Sequence, residues 1–126
     1  MKARETALRL KRFELNEKSR KVDDLELMIR EFETIAGDLD RQIRAEEDRT
    51  GVRDAKHFAY STFAKSAALR RDNLRASIAE LRVKLEAAQQ DYDAAKQQVD
   101  RFSADQPREG IRGRRRHERP TGFAMR

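Results

Sequence analysis

Cysteine and tryptophan are absent from this chain of 126 residues, and proline occurs only twice. Without cysteine there is no disulfide to staple a fold and no thiolate to serve as nucleophile or metal ligand. Histidine is as scarce: His57 and His117 stand sixty positions apart, so no convergent zinc set is expected. No glycine-rich phosphate loop is present. No apolar run approaches the ~20 residues of a membrane span, and no signal-peptide core follows Met1. The expectation is a soluble cytoplasmic protein of a single domain.

Charge is what the chain has in quantity. It is 41% charged and 37% hydrophobic, with a mean hydropathy of −1.00 and a net charge of +6. Patterned Leu, Ala, Glu, Lys and Arg in such a background point to long amphipathic helices. The charge is blocked by sign. Residues 1–21 carry eight basic and three acidic groups, or +5, and residues 22–50 carry four and ten, or −6. Residues 51–102 carry ten and seven, or +3, and residues 103–126 carry seven and three, or +4.

The apolar residues keep a strict period. Leu8, Leu15, Val22, Ile29, Ala36 and Ile43 are seven apart, and Leu25, Phe32 and Leu39 follow three residues after the later ones. That is the a/d seam of a coiled coil. It returns from Tyr60 through Ala64, Ala67, Leu74, Ile78, Leu81, Leu85, Ala88, Tyr92, Ala95 and Val99 to Phe102, with Arg71 alone breaking it. Between the two runs, Gly51 suits the left-handed position after a helix, and Asp54 can cap the next one. The spacing predicts a helix over 4–49, a turn over 50–54 and a second helix over 55–102, each helix about 70 Å long at 1.5 Å per residue.

One continuous helix, paired in parallel with a second chain, is the competing arrangement, because the heptad phase crosses the gap with Thr50 and His57 at a and Arg53 at d. It would bury these polar groups and set the −6 block against itself. In an antiparallel hairpin, residues 22–50 instead face residues 56–84, which carry +5, and residues 1–21 face residues 85–102, which carry −2. Each exposed pair is worth only ~0.3–0.5 kcal/mol, but both blocks become attractive. The expected fold is therefore all-α, a monomeric antiparallel coiled-coil hairpin over 1–102. Arg71 should fall opposite the Glu33–Asp40 region. The arginine-rich tail 103–126 holds both prolines and three of the five glycines, and should be disordered.

Such a hairpin has no pocket in which a nucleophile and base could converge, so His57 and Ser61 are merely neighbours and the chain reads as a non-enzyme without cofactor or small-molecule ligand. Two alternatives of another kind remain, a basic coiled coil associated with nucleic acid through Arg112, Arg114, Arg115 and Arg116, and a structural spacer. Partner contact is expected where apolar residues fall off the seam. Leu10 and Phe13, at c and f, are flanked by Arg9, Lys11 and Arg12. Phe58 at b and Phe63 at g lie near the turn, whereas His57 at a and Tyr60 at d should be core. The d positions Arg4, Lys11 and Lys18 should loosen packing near the termini.

The opening MKARETALRLKRFELNEKSRKV, the heptads after it and the block EEDRTGVRDAKHFAYSTFAKSAALRRDNL resemble the FliJ family of flagellar type III export proteins, in its short alphaproteobacterial form. The resemblance covers about residues 1–102, and HFAYSTFAKSAALRRDNL is its most specific part. It implies a hairpin like the stalk subunit of rotary ATPases, cytoplasmic and peripherally associated with the membrane export apparatus. The implied partners are the hexameric export ATPase and its regulator, the export gate protein and unloaded substrate chaperones. In that setting Leu10 and Phe13 would meet the ATPase ring, and Phe58 and Phe63 the gate.

Overall fold

The computed structural model describes the backbone of residues 2–118 and the side chains as far as Ala104. The described residues form two helices and no strand, α1 (Lys2–Thr50) and α2 (Thr62–Glu118), which pack against each other in opposite directions. The all-α antiparallel pair is the fold that the heptads predict. It divides into two compact units, residues 21–88 and residues 1–20 with 89–126.

The unit of residues 21–88 holds most of the core. Leu25 and Ile29 of α1 pack with Ile78, Leu81 and Ala88 of α2, and Val22, Phe32 and Leu85 close the cluster. A second cluster joins Leu39 and Ile43 to Tyr60, Ala64 and Ala67, with Val52, Ala68 and Leu74 around it. All the α1 and α2 members except Ala68 are a or d residues, so the period of seven is what selects the buried stripe. Arg71, the exception to that period, turns its guanidinium to Asp40 at 2.9 Å, and Arg75 reaches the other oxygen of Asp40 at 3.0 Å. The cation at this one a position of α2 is thus paired with a carboxylate at the edge of the seam instead of lying bare among apolar side chains.

The ends of α1 and α2 show where local chemistry overrides the period. Gly51 has φ +75°, and its N–H donates to Glu47 O at 2.8 Å, which is the left-handed cap expected there. A Cβ on Gly51 would meet no atom within 4 Å, so the cost of a side chain is purely conformational. Gly51→Ala should lose about 1 kcal/mol in urea denaturation; an unchanged midpoint would refute the cap.

The second helix starts at Thr62, not at 55. Asp54 is not its cap: the carboxylate accepts from Lys56 N–H at 3.0 Å and closes a turn two residues ahead. Further turns follow, with His57 N–H donating to Asp54 O and Tyr60 N–H to His57 O, both at 3.0 Å. Ser61 is the cap instead. Its hydroxyl accepts from Ala64 N–H at 3.2 Å and itself donates to Glu46 at 2.6 Å. His57 is consequently exposed on the loop instead of buried at a, and only Tyr60, 8% exposed, keeps its expected core place. At its other end α2 continues past Phe102 to Glu118. Phe102 is the last seam residue but no stop signal, since Ser103–Gln106 contains neither glycine nor proline. Of the tail expected to be disordered, 103–126, the backbone is described to Glu118 and the side chains to Ala104, and the rest lies outside the described residues.

In the unit formed by residues 1–20 with 89–126, Leu8, Ala95 and Val99 are buried, while Leu15, Tyr92 and Phe102 are half-buried. The cationic d positions find an aromatic partner there. The guanidinium of Arg4 lies 5.4 Å and the ammonium of Lys11 5.8 Å from the centre of the Phe102 ring. Both cations face the electron-rich ring, a cation–π arrangement.

Candidate partner-binding surfaces

On α1, Leu10 and Phe13 are 57% and 61% exposed. They lie three positions apart on the helix, so they form one patch on the face turned away from the buried Leu8. Arg9 and Arg12 beside them are exposed as well. The two apolar residues point outward as expected of c and f positions, but of the expected basic frame only Arg9 and Arg12 are exposed, Lys11 being half-buried beside Phe102.

Near the loop, Phe58 and Phe63 part company. Phe58 is 96% exposed and stacks on His57, with ring centres 4.7 Å apart and planes at 23°. It belongs to no helix, so its heptad position has no structural meaning. Phe63 sits in the first turn of α2, 54% exposed. No ring contact joins Phe58 to Phe63 among the described residues, so they are two separate apolar points.

A polar network anchors the loop that presents Phe58. Glu46 accepts from Arg49 at 2.8 and 2.9 Å and from the Ser61 hydroxyl at 2.6 Å. Glu47 accepts from the Tyr60 hydroxyl at 2.6 Å, and Arg53 pairs with Asp48. The network was not foreseen from the sequence, because three adjacent acids at a helix end read simply as charge. The hydrogen bonds from Arg49 first, and from Ser61, hold Glu46 down at about 2, and the bond from Arg71 lowers Asp40. The Tyr60 phenol is pushed up by the Glu47 carboxylate to which it donates.

Depressed carboxylates contribute stability that is complete above their ordinary values and lost as pH falls through the folded values. Melting temperature should therefore decline as pH drops from about 4.5 toward 2. Glu46→Gln, which cannot titrate, should flatten the lower part of that decline while its amide still accepts from Ser61. A decline identical in the variant would show that Glu46 contributes nothing to it.

Among the described residues, no group of three His, Asp or Glu side chains is placed to hold a metal ion, and no helix is long and apolar enough to cross a membrane. What the geometry offers is apolar contact in charged surroundings. No protein-family model, curated protein or solved structure matches the chain.

Proposed function

We propose that the chain is a non-enzymatic component of the flagellar type III export apparatus, a coiled-coil stalk and chaperone escort that binds the export ATPase ring and the export gate. The observation that carries this reading is the outward pair Leu10 and Phe13, 57% and 61% exposed in a basic frame on a helix packed in antiparallel fashion. The resemblance of residues 1–102 to the FliJ family supplies the identity of the partners. The ATPase with its regulator would take the Leu10–Phe13 patch, and the gate would take Phe58 and Phe63. The protein would act in the cytoplasm, peripherally at the membrane.

Co-purification with the hexameric export ATPase tests the reading directly, and a chain that never co-purifies with it or with the gate defeats it. The loop has its own test. Phe58→Ala with Phe63→Ala removes two exposed rings that pack on no core cluster, so helicity and melting should hardly change while affinity for the gate falls about tenfold or more. Unchanged affinity would remove the loop from the interface. A structural spacer requires neither exposed pair, and binding to neither partner would favour it.

A further inference from the structure

The two edges of the helix pair in residues 21–88 are unlike. On one edge the heptad e positions close over the seam: Arg82 pairs with Glu33, and Arg75 with Asp40 at 3.0 Å. Glu33, Asp40, Arg75 and Arg82 line a single shallow groove there. The other edge carries the g positions, Lys21, Met28, Ile35, Gln42 and Arg49 of α1 with Phe63, Arg70, Ser77 and Lys84 of α2. Gln42, Phe63 and Arg70 line one groove, which puts the g positions of both helices on the same side. No ion pair crosses that edge among the described residues. Met28, Ile35 and Phe63 stand open to water on it, 41%, 36% and 54% exposed.

Positions beside a coiled-coil seam ordinarily hold charges that shield it. Apolar side chains there, beside a sealed opposite edge, mark a contact surface. The charges near them identify the occupant. Asp24 and Glu31, at c on α1, and Arg70 and Lys84, at g on α2, form no hydrogen bond or ion pair within the described residues. Lys21 at g on α1 and Glu80 at c on α2 offset these in part. The edge is left net negative on the α1 side and net positive on the α2 side, so it is complementary to itself.

We propose that this edge pairs with the same edge of a second copy of the chain, about a two-fold axis running along the helices. Such an axis lays α1 of each copy over α2 of the other and keeps residues at their own level. Asp40 with Arg71 and Arg75, and Glu33 with Arg82, define the levels. On that scale Glu31 meets the second copy's Lys84, Met28 packs beside the stem of the same lysine, and Ile35 sits over the second copy's Ser77, which is small enough to receive it. A two-fold axis across the helices would instead set α1 on α1, with Asp24 and Glu31 facing carboxylates. Charge selects the first arrangement. The expectation of a monomer rests on the a/d seam, the charge blocks and the turn signals within one chain, which are silent about contacts along an edge. The pairing is argued without the export reading, although both claim Phe63.

The full chain alone tests it. Sedimentation equilibrium over about a hundredfold range of concentration should show a mass rising from one chain toward two. Lys84→Glu and Glu31→Lys should each weaken association about tenfold, and the double exchange should restore it. Lys84 and Glu31 are exposed and free of other pairs, so neither variant threatens the fold, which circular dichroism checks. Because the chain has no cysteine, single-cysteine variants report geometry directly. Ile35→Cys mixed with Ser77→Cys should form a disulfide-linked pair, and Glu33→Cys mixed with Arg82→Cys should not. A single-chain mass at every concentration overturns the proposal. So does equal cross-linking on both edges, a charge exchange that restores nothing, or a mass that rises only when a different protein is added.

Discussion

Alanine at Ile29 or at Ile78 should lower the stability of the chain by about 2–4 kcal/mol, among the largest stability effects expected of a single truncation here. The two side chains are 7% and 6% exposed and pack in one cluster with Leu25 and Leu81. Two helices offer no third layer to collapse into the vacated space, so both the transfer loss and the cavity remain. Against a total stability of roughly 5–15 kcal/mol, one such change is a large fraction, and urea denaturation followed by circular dichroism will read it as a lowered midpoint. Leu69→Ala and Val83→Ala provide the contrast. These residues are 65% and 72% exposed on the outer face of α2, and their loss should cost under about 0.5 kcal/mol. Equal losses at the inner and outer positions would show that the heptad seam is not what holds the helices together.

The second large effect is functional. On the proposal that the chain acts on the export ATPase, Leu10→Ala with Phe13→Ala should abolish stimulation of that ATPase while changing the stability of the chain by no more than about 0.5 kcal/mol. Alanine is a better helix former than phenylalanine, and neither side chain belongs to a core cluster, so α1 should persist. What disappears is an exposed apolar patch between Arg9 and Arg12 that only a partner can bury. Nearby, Arg4 and Lys11 are already engaged with the Phe102 ring, so the patch is the part of this surface left for contact. ATPase turnover with and without the variant, alongside a melting curve, separates the outcomes. If stimulation survives and melting falls sharply, Leu10 and Phe13 are core residues and the assignment to the ATPase fails.

Much of the helix pair could be read in advance, for identifiable reasons. A period of seven over several turns leaves one continuous apolar stripe, and burying that stripe against a second stripe is the main favourable term available to so charged a chain. The buried set from Leu8 to Val99 follows directly. Two polar details followed from equally local rules. Gly51 adopts the positive φ that other residues resist, and Arg71 inside the stripe required a carboxylate at its level, which Asp40 supplies.

The start of α2 could not be read this way. Asp54 and Ser61 are both acceptable caps by residue type, and the phase of the heptads runs unbroken through His57. The choice between them depends on atoms distant in the chain. Glu46 and Glu47, on the last turns of α1, accept from Ser61 and Tyr60, and these bonds hold the loop until the second helix can begin at Thr62. Asp54 has no such partner and spends its carboxylate on Lys56. The inequality of the two edges is also a tertiary result. An a/d pattern names the residues between the helices and treats e and g alike. Only the packed pair reveals that Glu33, Asp40, Arg75 and Arg82 meet on one side while Met28, Ile35 and Phe63 are left open on the other, because ion pairs form between side chains brought together by the fold and not by their spacing along the chain.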